Sequence, residues 1–421
     1  MSFLLKCIVL LLLFAACFPS SAQTQPTSQP LTWDEVKSRF EANNPMLQAG
    51  ALGIQEAKAS EVTAYLRPNP TFTAILDQVD PFTTDPWRPL SLAEVEGSVT
   101  YLHERRRKRE LRRDSAEGAT AIATSEQADL ERTLLFNLRS AFIQTLQNKA
   151  IVQLAKTDLD YYDQVLEVNR ERHRAGAISR VDLDRLELQR VQFQSDLQTA
   201  SVNLRSAKIQ LLALLNDRTP VDEFDVTGTF DFSTQLGALD DYRGAAVNTR
   251  PDLKAALQAM GKAKVDHQLA VANGSTDPTF GFDVGKQLPV EHYVGFTVSI
   301  PLRAFDRNQG EKLRTQLDVD RNAKLVDAQR AQVFSDVDSA YVAVESSLTL
   351  LRPYKEQYLK QASDVRDTIY FSYQKGAASL LDFLSAEKEY RDVQLAYLNL
   401  IGSYMIAAGQ LNLAVGREVL Q

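Results

Sequence analysis

The chain has 421 residues, a formal net charge of −7 and 24% charged residues. With no basic excess, nucleic acid is excluded as a partner on charge grounds. Both cysteines, Cys7 and Cys17, lie in the first 22 residues. The remainder therefore has no disulfide, thiolate metal site or cysteine nucleophile, unless Cys17 is retained. Four histidines, His103, His173, His267 and His292, show no HxxxH or HxH spacing, so no metal site or other cofactor is expected. A nucleophile elbow, a phosphate loop and Gly-x-Gly-x-x-Gly are all missing, which argues against an enzyme.

In chain order, Met1 to Ala22 has one cation, Lys6, then the apolar run Cys7 to Cys17 and the small residues Ser20, Ser21 and Ala22. This reads as a secretory signal (1-22) cut before Gln23, because about ten apolar residues cannot span a bilayer as a helix. Ala15-Ala16-Cys17 also fits a lipobox, with Phe14 in place of the usual leucine, which makes Cys17 a candidate for lipidation. No later segment reaches the roughly 18 apolar residues of a transmembrane helix, so any membrane insertion must use strands.

A first repeat covers 23-215. Leu31 to about Leu66 reads as helix. A β-hairpin at about 70-102 follows, in which Ala93, Val95, Gly97, Val99 and Tyr101 alternate with Glu94, Glu96, Ser98 and Thr100. Segments of about ten residues with one apolar and one polar face suit a membrane barrel. The same alternation also fits a soluble hairpin. A helix from about Arg105 to Arg174 would rise about 100 Å. After a turn at Gly176, a return helix places Leu183, Leu186, Phe193, Leu197, Ala200, Leu204, Ala207, Leu211 and Leu214 at 3,4 heptad spacing, interrupted only at Arg190. Residues 216-240, rich in Asp, Thr, Gly and Phe, break the period and read as an irregular equatorial linker.

The second repeat, 241-416, restates the first. Gly176, Ala177, Ser179, Asp182 and Glu187 recur 200 positions later as Gly376, Ala377, Ser379, Asp382 and Glu387. Ser140-Ala141-Phe142 answers Ser339-Ala340-Tyr341, and Pro70-Thr71-Phe72 answers Pro278-Thr279-Phe280. Its elements are a helix from about Asp241 to Ala272, a hairpin at about 278-302, a long helix from about Asp306 to Gln374 with a kink expected at Pro353, and a return helix with an unbroken seam from Phe383 to Ala414.

Four strands cannot close a barrel, and open sheet edges are not tolerated in lipid. Two copies supply eight strands, which side chains fill; three supply twelve and leave a lumen. A homotrimer is expected. The fold class is mainly α with a small β part: four membrane strands per chain and long coiled-coil helices, in a two-fold internal repeat.

This layout, with Arg250-Pro251-Asp252-Leu253 opening the second half, resembles the TolC-type outer-membrane efflux proteins (outer-membrane factors). Ile300-Pro301-Leu302, followed by Phe305-Asp306-Arg307-Asn308-Gln309-Gly310, is similar to the strand-to-helix junction of the cobalt-zinc-cadmium branch. The resemblance implies a twelve-stranded barrel continued by an α-helical barrel in the periplasm. It also implies docking to a periplasmic adaptor (membrane fusion) protein and an inner-membrane transporter of RND or similar type, and passive export, here of heavy-metal cations. The alternatives are a drug or type I secretion duct of the same fold and, from another class, a soluble periplasmic coiled-coil adaptor or scaffold.

The resemblance further implies that Gly176 and Gly376 are the tip turns of the tunnel and that Asp382, Asp182 and Tyr373 belong to its gate. Ser385 replaces the family's next carboxylate, and Ala378 stands where the family has an arginine. Ser179/Asp182 and Ser379/Asp382 also have the spacing of helix N-caps, which alone accounts for their repetition. Arg105, Arg106, Arg107, Asp306 and Arg307 mark the barrel-helix junction. The basic run from Arg105 to Arg113 suits anionic lipid headgroups there, as it suits plain solvation.

Overall fold

The computed structural model describes residues 29–82, 86–91, 93–233, 235–287 and 290–420. The secretory segment and Cys17 lie outside them. Two short helices, α1 (Trp33–Asn43) and α2 (Pro45–Tyr65), precede a hairpin of β1 (Thr71–Asp77) and β2 (Glu94–Leu102). The 67-residue α3 (Lys108–Arg174) then turns into α4 (Arg180–Leu214). The second half runs α5 (Leu239–Thr249), α6 (Pro251–Asn273), β3 (Thr279–Gln287), β4 (Val290–Ser299), α7 (Gln309–Pro353), a π-helical turn (Tyr354–Tyr358), α8 (Leu359–Gln374) and α9 (Leu380–Val415).

The helix expected over Leu31 to Leu66 is two helices, and so is the one over Asp241 to Ala272. Both break before a proline, at Asn44-Pro45 and Arg250-Pro251. Proline forces the preceding residue out of the α region and then serves well as the first residue of the next helix. Asn44 (ψ 118°) caps α2 by accepting from Met46 N and Leu47 N at 2.9 and 3.2 Å. Arg250 is buried instead and bridges Asp252 and Asp336 at 2.5 and 2.8 Å. Pro353 ends α7 in a π-turn, because its missing N–H cannot close the normal i→i−4 bond.

The sheet is antiparallel in the order β1-β2-β3-β4, so the two hairpins are joined edge to edge and, among the described residues, β1 and β4 are left unpaired on their outer sides. Register puts Phe72 opposite Val99, Val99 opposite Phe282, and Phe282 opposite Phe296, all on one face. That face also carries Leu76, Val95, Phe280, Val284, Val294 and Val298, all exposed. The other face carries Thr71, Thr73, Asp77, Glu94, Glu96, Ser98, Thr100, Asp283, Thr297 and Ser299.

Three cores hold the helices. One joins α1, α3, α4 and the linker through Phe40, Leu138, Phe142, Leu211 and Val226. Its counterpart joins α5, α7 and α9 through Ala246, Val337, Val344, Tyr404 and Leu411. The third lies towards the two tip turns and combines Tyr162, Leu186 and Phe193 of the first half with Tyr373 and Phe383 of the second. The break in the first seam is filled: Arg190 pairs with Asp163 of α3 at 2.5 Å. Linker residues 216–233 and 235–238 form an irregular strap, with an isolated parallel bridge between Leu31 and Val226 and a hydrogen bond from the Tyr404 hydroxyl to Ser233 O at 2.9 Å.

Contrary to the sequence expectation, one helix among the described residues, Leu380–Val415, is long and apolar enough by composition to cross a membrane. Here it is a core helix, burying Phe383, Ile401, Tyr404, Leu411 and Val415 inside the chain.

Candidate functional site

At the tip, α3 and α8 end in the same turn. Gly176 and Gly376 adopt φ of 73° and 76°, a left-handed conformation that closes a helix and suits glycine. Ala177 N donates to Arg172 O and Ala377 N to Ser372 O, both at 2.8 Å. Each return helix then starts from a serine cap. Asp182 N donates to Ser179 Oγ at 3.0 Å, and Asp382 N to Ser379 Oγ at 3.1 Å. The Ser179 and Ser379 hydroxyls donate back to the two carboxylates at 2.8 and 2.7 Å. In the second copy Ser379 N also donates to Asp382 Oδ2 at 3.0 Å, completing a capping box. These bonds, the hydroxyl's first, hold the Asp382 carboxyl below the usual carboxylate range, so it is ionised at neutral pH. Asp382 is exposed and Asp182 half-buried, each two residues past the first residue of its helix.

Tyr373 stands apart from the aspartates in being buried. Its hydroxyl donates to Asn169 Oδ1 at 2.9 Å, its ring stacks on Phe383 with centroids 5.4 Å apart, and the Arg172 guanidinium lies 4.8 Å from its centroid. Asn169 itself is buried and donates to Val165 O at 2.9 Å. The bond ties the long helix of one repeat to that of the other, 204 residues apart. Asn169 was missed from the sequence because nothing in its local pattern distinguishes it from a solvated polar residue.

Above this tie is a second feature not legible beforehand. Glu387 is 3% exposed, and its Oε2 has no hydrogen-bond partner. Burial pushes its carboxyl up to about 7; Arg366 opposes this and Asp158 reinforces it. Burial likewise pushes Asp158 of α3 up to about 6, against the pull of Arg391 and Arg366. The Tyr161 hydroxyl, also buried and unpartnered, adjoins them. Glu187, the equivalent residue in the first repeat, is half-buried and pairs with Arg170 at 3.3 Å. Tyr370 takes the place of Arg170 in the second repeat, which leaves Glu387 without that partner.

At the junction of strands and helices, part of the basic run is tied into the chain. Lys108 is buried and pairs with Asp277 at 2.5 Å. Arg105 donates to Thr276 O at 2.5 and 2.9 Å. Arg112 pairs with Glu104, and Arg109 lies 4.3 Å from the centroid of Tyr65. Arg106 and Arg107 are exposed, both at positive φ. In the second junction Asp306 accepts from Asn308 N at 2.7 Å, and Arg307 N donates to Gln309 Oε1 at 2.8 Å. No group of three or more metal-ligating side chains is found among the described residues.

Four strands with an outward apolar face above long antiparallel helices define the fold of an outer-membrane channel that extends into the periplasm. The outer membrane efflux protein family matches residues 244–417. The cobalt-zinc-cadmium resistance protein CzcC of Cupriavidus metallidurans is 22% identical over 397 residues, which span 92% of this chain and 90% of that protein. Among solved structures, CusC superposes with a TM-score of 0.76 at 16% identity, covering 91% of this chain and 92% of that one. VceC of Vibrio cholerae gives 0.74 at 16%, covering 91% and 96%. The open MtrE channel of Neisseria gonorrhoeae gives 0.74 at 16%, covering 92% and 89%. Residues 244–417 thus match the outer membrane efflux proteins, a family of channels rather than enzymes, and the chain as a whole has the fold of TolC-type outer-membrane channels. Channels of this family form trimers.

Proposed function

We propose that this chain assembles as a homotrimer and passively conducts heavy-metal cations from a periplasmic adaptor and an inner-membrane transporter to the exterior. The observation that carries the assembly is the sheet order, which leaves β1 and β4 as free edges. Pairing β4 of one copy with β1 of the next keeps the antiparallel alternation and satisfies both edges, which lipid requires.

Two observations support cations as cargo. The polar face of the sheet, which would line the lumen, carries Asp77, Glu94, Glu96 and Asp283, and among its described strand residues no Lys or Arg. Acidic linings of this kind favour cations in a pore. The similarity to CzcC, a cobalt-zinc-cadmium resistance protein by name, points the same way. Growth of a deletion strain on a panel of metals and drugs tests the cargo. Sensitisation to divalent metals alone is expected, and sensitisation to drugs alone overturns the metal reading.

In this reading the tip is the gate. The Tyr373–Asn169 bond holds the two repeats together there, and Asp182 and Asp382 stand at the starts of the helices that enclose the opening. Three copies of Asp382 around one axis would concentrate cations. Asp382→Asn is expected to lower the cation-over-anion permeability ratio in planar bilayers, since the amide keeps an acceptor for the Ser379 donors but loses the charge. An unchanged ratio rules Asp382 out of the ion path.

A further inference from the structure

We infer that the junction between strands and helices is a binding belt for the phosphate headgroups of anionic phospholipid in the periplasmic leaflet of the outer membrane. Every nearby carboxylate is already taken. Glu104 is held by Arg112, Glu110 by Arg109, Asp277 by Lys108 and Asp306 by the Asn308 amide. Arg106, Arg107, Arg303 and Arg307 make no ion pair among the described residues, and the buried Nε of Arg303 has no hydrogen-bond partner. Arg105 also makes no ion pair and gives its guanidinium to Thr276, while Asp306 keeps its charge, so five guanidiniums stand against one unpaired carboxylate in a chain of net charge −7.

The backbone supplies an independent sign that these side chains are wanted where they are. Arg106 and Arg107 have φ of 60° and 57°, a region that L residues other than Asn and Gly rarely enter. The second repeat solves the same strand-to-helix turn with Asn308 at φ 60°, the residue type suited to it. Arginine at this turn is therefore not explained by backbone geometry. Beside Arg303 and Arg307, Leu302 and Phe305 are 90% and 95% exposed. Apolar side chains next to guanidiniums, directly below a lipid-facing strand surface, match the boundary between acyl chains and headgroups. The belt continues the apolar sheet face into the interface, so a bilayer and not a soluble protein is the occupant that covers both. Arginine suits phosphate because its planar fork donates two parallel bonds.

This inference rests on the outer-membrane location of the chain, and its test leaves conduction as a separate readout. The detergent-solubilised oligomer would be titrated with phosphatidylglycerol and followed by native mass spectrometry, for the wild type and for Arg106→Asn/Arg107→Asn/Arg303→Gln/Arg307→Gln. Asparagine fits the two left-handed positions, so the fold is spared. The wild type is expected to retain the lipid, the variant to bind it at least tenfold more weakly, and both to conduct alike in bilayers. On the wild type alone, 1 M salt should release the lipid, because the attraction is screened. Equal retention by both proteins, no effect of salt, or displacement of the lipid by an equal concentration of inorganic phosphate would each overturn the inference.

Discussion

Glu387→Gln is expected to stabilise the protein at pH 8 and to leave its stability nearly unchanged at pH 4.5. The carboxyl is raised to about 7 in the folded chain from an ordinary value of 4.5. The folded state therefore holds its proton longer than the unfolded state does. Stability is fully present below pH 4.5, falls as pH rises from there to about 7, and is flat above. The full difference is on the order of 3 kcal/mol. Asp158 adds to the same slope with its carboxyl at about 6. Glutamine removes the charge that must be buried without a partner for Oε2, at nearly the same volume. Thermal melts of the detergent-solubilised wild type and variant between pH 4.5 and 8 give the comparison, and parallel curves at all pH values contradict the assignment. The same physics makes the packing of α9 against α3 and α8 looser above neutral pH than below it.

The second large effect concerns the sheet. Phe282→Arg places a charge in the middle of the apolar face, between Val99 and Phe296. A charge at the mid-depth of a barrel's lipid face costs roughly 2–4 kcal/mol per chain. Three chains pay it together in a trimer, and loss of the SDS-resistant oligomer from outer-membrane fractions is expected. Thr297→Lys, on the opposite face, is the control: it should assemble and lower cation conductance. If Phe282→Arg assembles like the wild type, the apolar face does not meet lipid.

Much of this architecture is legible in the sequence because it is written in period. Strand alternation from Glu94 to Leu102 and heptads from Leu183 and Phe383 need only neighbours along the chain to be recognised. The breaks at Asn44-Pro45 and Arg250-Pro251 escaped a reading by period, although each has a local cause, since the apolar pattern runs on across the proline. The site is harder for a different reason. Whether Lys108 is solvated or buried depends on Asp277, 169 residues away, and the importance of Asn169 depends on Tyr373, 204 residues away. Likewise the duplication of Glu187 and Glu387 is plain in the sequence. Their divergence is settled only by what α3 and α8 bring against each. Capping pairs such as Ser379 and Asp382 are local and readable, but spacing shows only that they cap a helix, not what the exposed carboxylate faces.

The free edges of β1 and β4 remain the feature on which the channel reading depends. Native mass spectrometry of the protein extracted from outer membranes tests it most directly. Three chains per particle, which conduct ions when added to a planar bilayer, are the result expected. Recovery of a single chain that is soluble without detergent would contradict the account.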